Sequence, residues 1–175
     1  MKSCKEIIMS RASTKGYLPD MPSRCDIESI IEAGLAAASG RNMQASVIVA
    51  VTNKEIRDRL SAANAAVMGA SGDPFYGAPC VLVVLGDKKA HTYVYDGSLT
   101  LGNMMLRAHE LGLGSCWIHR AKEVMAEPQW QQWLKDLGLD GEYEGIGNLV
   151  IGYPKDKIPS PKERKEGRVV FAEEG

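Results

Sequence analysis

No stretch of this chain is both apolar and long enough to cross a bilayer. The longest apolar runs, Val47 to Val51 and Cys80 to Leu85, fall far short of the ~20 residues a spanning helix needs. The amino terminus, Met1-Lys2-Ser3-Cys4-Lys5-Glu6, lacks the apolar core and cleavage site of a signal peptide, so a cytoplasmic protein is expected. Net charge is nearly absent: 21 Lys plus Arg against 22 Asp plus Glu leave −1, with no basic stripe to hold a nucleic acid. Cysteine is sparse and scattered. Cys4, Cys25, Cys80 and Cys116 form no C-x-x-C pair, and His91, His109 and His119 stand at no zinc-ligand spacing, so no metal site is expected. The thiols are read as buried and reduced, with Cys116 kept as a minor candidate for a catalytic thiol. A serine-hydrolase elbow and a P-loop are also missing. The G-x-G at Gly112-Leu113-Gly114 has Trp117 where a dinucleotide fingerprint needs its third glycine. It also runs from helix to strand, the reverse of the required order.

What is present is ordinary globular material: 175 residues, 45% hydrophobic and 25% charged, enough for one domain with a sizeable core. Short helices and buried strands alternate. A first helix is expected over 5–11. A second is capped by Ser23 and carries Ile27, Ile30, Ile31 and Leu35 on one face. The β-branched run from Val47 to Thr52 reads as a buried strand, and Asn53 caps a helix bearing Ile56 and Leu60. After a Gly/Pro-rich loop at 69–79 comes a second strand from Cys80 to Leu85. A long helix over 95–111 is expected to turn Leu99, Met105 or Leu106, and His109 inward and to stop at Gly112. A strand at 115–118, a helix marked by Trp130, Trp133, Leu134 and Leu137, and a strand at 146–153 follow. Val169-Val170-Phe171 could add one more strand. Pattern alone leaves α/β and α+β both open.

Two clusters could hold a phosphate. Ser10-Arg11-Ala12-Ser13-Thr14-Lys15 offers cations and hydroxyls beside a turn. Lys155, Lys157, Lys162, Arg164 and Lys165 form a second basic group, stiffened by Pro154, Pro159 and Pro161. Either cluster alone is more often solvated surface. Ser39-Gly40-Arg41-Asn42-Met43-Gln44 brings amides next to a glycine and could meet a polar heterocycle; a polar connecting loop is the plainer reading.

Considered in order, these pieces resemble the FMN-dependent nitroreductase family over nearly the whole chain. The family's S-R-R-S-x-R-x-F corresponds to Ser10-Arg11-Ala12-Ser13-Thr14-Lys15-Gly16-Tyr17, and A-P-S-x-x-N-x-Q-P-W to Ala37 through Ser46. Gly77-Ala78-Pro79 precedes a strand, the G-L-G-S-C-W-I motif is complete from Gly112 to Ile118, and I-G-Y-P with K-x-R appears as Ile151 to Pro154 and Lys162-Glu163-Arg164.

The resemblance implies an α+β, three-layer fold with a central mixed sheet flanked by helices, and a homodimer that exchanges its C-terminal strand, including Val169 to Phe171. It implies an FMN-dependent oxidoreductase that passes electrons from NADH or NADPH through flavin N5 to a nitroaromatic, a quinone or a similar small acceptor. By the same resemblance Arg11, Ser13 and Lys15 would contact the FMN phosphate, ribityl chain or pyrimidine edge, and Lys162 and Arg164 would close on the phosphate. Ser39, Gly40, Asn42 and Gln44 would reach the flavin from the partner subunit. Ser115, Trp117, Ile118 and His119 would line the isoalloxazine, and Asn64 stands where some relatives carry N-x-x-K. No side chain is assigned as catalytic, because the flavin carries the chemistry.

Three departures from the family pattern bear on function. Ala12 and Lys15 replace two Arg; Ala38, Ala45 and Ser46 replace Pro, Pro and Trp; and Val67 occupies the Lys position of N-x-x-K. These keep two alternatives in view: a dehalogenase or flavin-modifying enzyme on the same fold, and an FMN-binding module without turnover.

Overall fold

The computed structural model describes residues 3–173. Six helices and four strands alternate along them: α1 (Cys4–Ser10), α2 (Arg24–Leu35), β1 (Ser46–Val51), α3 (Lys54–Met68), β2 (Cys80–Asp87), α4 (Tyr93–Glu110), β3 (Gly114–Ile118), α5 (Ala121–Met125), α6 (Pro128–Asp136) and β4 (Tyr143–Gly152). Capping sets several starts. The Ser23 hydroxyl accepts from the Asp26 N–H, and the Asn53 side chain accepts from the Ile56 N–H, satisfying donors that a helix start leaves open. Gly112, at φ 79°, takes the left-handed turn after α4 that a side chain would resist.

The strands lie in the order β1-β2-β4-β3, giving a four-stranded sheet. All three pairings are antiparallel, so the expectation of a mixed sheet is not met among the described residues. The connections through α3 and through α5–α6 reverse the chain between neighbouring strands, while α4 carries it from β2 to a β3 of the same direction, with β4 inserted antiparallel between them.

Alternation along β2 divides the interior. Val81, Val83 and Leu85 join Leu60, Phe75, Val124, Met125, Trp130 and Leu134 on one face. Cys80, Leu82 and Val84 join Ile27, Ile30, Leu101, Met104 and Ala108 on the other. Helices therefore cover both faces of one sheet, the three-layer α+β arrangement expected.

Two expected details change. Leu99 is 52% exposed, whereas His109 is buried and Met105 packs against the core as expected; Gly97, Leu101, Met104 and Ala108 complete the inner face of α4. Apolar residues lie all around this helix, so sequence phase is ambiguous. The phase is set by Gly97, where a Cβ would come within 2.7 Å of Ile146 Cγ1. Residues 169–171 form no strand within the chain. A strand requires a partner, and none of this chain's edges takes that tail.

Candidate functional site

The segment after α1 is laid along the sheet by backbone pairing. Thr14 N–H donates to Ser115 O at 3.0 Å, Leu18 N–H to Tyr153 O at 2.9 Å, and Lys155 N–H to Gly16 O at 3.1 Å. The Tyr17 hydroxyl closes back on Thr14 O at 2.9 Å. Burial is the main reason the Tyr17 phenol is held well above its ordinary pKa, so it stays a neutral donor. Gly114 permits this close approach, since a Cβ there would sit 2.8 Å from the Thr14 side chain.

This pairing joins the two basic clusters. Arg11, Ala12, Ser13 and Lys15 line one cleft with Pro159, Ser160, Pro161, Lys162 and Arg164, enclosing about 330 Å³. Arg11 Nη1 is buried without a hydrogen-bond partner among the described residues. A buried guanidinium nitrogen with no acceptor is costly, and an anion in the cleft would supply one.

A second cleft of about 370 Å³ continues from the first through Ser13 and Lys15. It is lined by Met68, Pro74, Tyr76 and the run Cys116 to Arg120. Trp117 contributes its backbone: its indole lies on the opposite face of β3, against Gly147, where a Cβ would come within 2.2 Å of Nε1. Burial raises the Cys116 thiol above its usual range, against the opposing pull of Ser13, Lys15 and Arg11. Burial thus favours the neutral thiol over the thiolate that nucleophilic chemistry uses. Cys80, on burial alone, is pushed up to about 12. Cys4 and Cys25 are exposed, contrary to the reading of all four thiols as buried; each lies near a helix start on the solvent side.

The remaining expected residues lie elsewhere. Ser115 is 2% exposed and stands behind the clefts, its carbonyl taken by Thr14. Asn64 is fully buried; its Nδ2 donates to His119 O at 2.8 Å, and its Oδ1 has no partner among the described residues. Ser39, Gly40, Asn42 and Gln44 line neither cleft. They form an outward loop with Arg41, Asn42 and Gln44 at φ 52°, 54° and 49°. It is anchored by Gly40 N–H donating to the buried Asp96 Oδ1 at 3.1 Å, and Gln44 N–H donating to Ser39 Oγ at 3.0 Å.

Sequence reasoning missed the wall of the second cleft. Asp73 Oδ1 accepts from the Ser61 hydroxyl and Phe75 N–H, and Oδ2 accepts from Gly77 N–H and Arg57 Nη2. Arg57 Nε also donates to Ala78 O at 2.8 Å. Burial alone would raise the Asp73 carboxyl, but these hydrogen bonds outweigh it and hold the group below the usual carboxylate range. The clasp carries Tyr76 at φ 55°. An Asp four residues before Gly77 was the available signal, and Asp is common in turns for many reasons.

A helix-covered antiparallel sheet with a cationic cleft joined to a second cleft through Ser13 and Lys15 defines an α+β fold. The model described as the nitroreductase family matches residues 8–153, and the chain belongs to that family. It is 29% identical over 163 residues, 90% of this chain and 88% of the other, to an Archaeoglobus fulgidus protein assigned as NADH dehydrogenase/NAD(P)H nitroreductase. It is 25% identical to the NADPH-flavin oxidoreductase of Vibrio harveyi, covering 99% of this chain and 74% of that one. Among solved structures, a nitroreductase with bound FMN from Bacteroides fragilis superposes with a TM-score of 0.86 at 26% identity, covering 99% of this chain and all of that one. No helix among the described residues is long and apolar enough to cross a membrane.

Proposed function

We propose that this chain is a single FMN-binding unit that works as a homodimeric NAD(P)H oxidoreductase, reducing a nitroaromatic, quinone or similar small acceptor. The observation that carries the proposal is the meeting of Arg11, Ser13 and Lys15 with Lys162 and Arg164 in one cleft, with a buried Arg11 nitrogen lacking an acceptor. FMN has a phosphate for that cleft and a planar ring for the adjoining one, so the residues present fit it. Bound FMN would supply a ring that takes hydride at N5 from a dinucleotide and returns electrons to the acceptor.

The chain's own residues would do the rest. Arg11, Lys162 and Arg164 neutralise the phosphate, and the Ser13 hydroxyl adds a directed hydrogen bond. The Ile118–His119 segment, which lines the second cleft and is held by Asn64, would border the ring. No side-chain acid or base is required.

The homodimer is supported by two observations. Asn42 and Gln44 are exposed and line neither of their own chain's clefts, which suits service to a partner's site. Val169, Val170 and Phe171 are 73%, 89% and 79% exposed; three adjacent apolar residues left in water suit a strand given to a second copy, and β3 is a sheet edge that could receive one.

A second reading, FMN binding without turnover, is favoured by one fact: Val67 packs against the core and brings no cation. The test is an anaerobic titration of the FMN-reconstituted chain with NADH and then NADPH. Bleaching of the visible flavin band, restored by a nitroaromatic or quinone, is the expected result. Bound flavin that neither nucleotide reduces would favour the second reading, and absence of FMN binding would overturn both.

A further inference from the structure

A tyrosine in the left-handed region is a true outlier for so bulky a residue, and Tyr76 sits there at φ 55°. Such a conformation persists only where its surroundings over-determine it, and it directs attention to what the side chain does. The surroundings are the Asp73 clasp together with the Tyr76 N–H to Asp73 O bond at 3.1 Å and the Ala78 N–H to Phe75 O bond at 3.0 Å. Phe75 is fully buried, with the Arg57 guanidinium 5.5 Å from its ring centroid. The turn is thus a rigid mount, and it presents the Tyr76 ring to the second cleft.

What the ring meets there is Lys15, whose Nζ lies 5.7 Å from the ring centroid, within cation–π range. Lys15 lines both clefts, whereas Tyr76 lines only the second. An ammonium over this ring is drawn toward the ring cleft and away from the phosphate cleft. There Arg11, Lys162 and Arg164 already supply positive charge. In the ring cleft the other cation is Arg120, which shares its charge with Glu123 at 3.8 Å.

We propose that Tyr76 is a positioning residue that holds the Lys15 ammonium in the ring cleft, where Lys15 supplies positive charge. This rests on the FMN reading above. A cation beside the ring favours the reduced flavin, which carries the added negative charge, over the oxidised one. Tyr76 therefore acts on the flavin's midpoint potential through Lys15.

The experiment is an anaerobic dye-equilibration measurement of midpoint potential on the full-length chain with saturating FMN, made on the wild type, Tyr76→Phe, Tyr76→Gly, Lys15→Met and the Tyr76→Gly/Lys15→Met pair. Tyr76→Phe keeps the ring and should keep the wild-type potential. Tyr76→Gly keeps the left-handed backbone at no steric cost and removes the ring. It should favour the reduced form about tenfold less, a fall of ~30 mV for a two-electron couple. Added to Lys15→Met, Tyr76→Gly should change nothing further. A wild-type potential in Tyr76→Gly, or the same fall with and without Lys15, overturns the inference while leaving the FMN reading intact. A wild type that binds no FMN overturns both.

Discussion

The side-chain amide of Asn64, on α3, donates to the carbonyl oxygen of His119 at 2.8 Å, tying a buried helix position to the residue just past an edge strand. The contact runs behind the ring cleft rather than into it. Asn64 thereby supports the cleft through the backbone it holds.

Replacing the buried Asn64 with Ala removes the donor to a part-buried carbonyl and should cost about 1 kcal/mol of stability. Asn64→Asp should cost at least as much, because it faces that carbonyl with an acceptor. Urea denaturation of the apo chain measures both, and wild-type midpoints would refute the assignment.

Arg164→Ala and Arg11→Ala should each weaken FMN binding by roughly tenfold or more, since a charge-assisted hydrogen bond contributes about 1.5–3 kcal/mol. Arg11→Ala should have the larger effect, because its Nη1 is the buried, unpartnered atom. Flavin fluorescence quenching gives the affinities. Raising the salt concentration should weaken wild-type binding more than that of either variant.

Gly114→Ala tests the close approach of the N-terminal segment to β3. The added methyl would stand 2.8 Å from Thr14 and push away the segment that carries Ser13 and Lys15. A stability loss of about 1–3 kcal/mol is expected from the overpacking, together with a several-fold loss of FMN affinity. Retained affinity would show that this approach does not shape the cleft.

Asp73 sets an acid limit. Its carboxyl is held below the usual range in the folded chain, so the stability it contributes is fully present above its unfolded pKa of ~3.9. That contribution is lost as pH falls through the folded value. Asp73→Asn should therefore lower stability at neutral pH and flatten the acid limb below about pH 4. Thermal melts across pH 3 to 7 compare the two profiles.

Ending the chain after Lys165 removes Val169, Val170 and Phe171, which are exposed in the single chain. Light scattering should show the homodimer lost or weakened. A truncated chain that remains fully dimeric would remove the exchanged tail from the interface.

Much of this protein was legible in its residues alone. Strands betray themselves by β-branched runs, as from Val47 to Val51, and helix starts by a capping side chain, as at Ser23 and Asn53. Both signals act over a few residues and survive without knowledge of the fold. Motif order carried the family, and with it the expectation that residues near 11 and 164 meet. The tertiary structure decided what depends on direction and on distant partners. It set the Trp117 indole against Gly147, on the face of β3 opposite Cys116 and Ile118, because neighbours on a strand face opposite sides. It set the phase of α4 by a glycine facing Ile146, drew Asn64 into the interior to hold a backbone carbonyl, and built from Asp73 and Arg57 the mount on which Tyr76 meets Lys15. None of these could be written in local pattern, because each is fixed by what another part of the chain brings alongside.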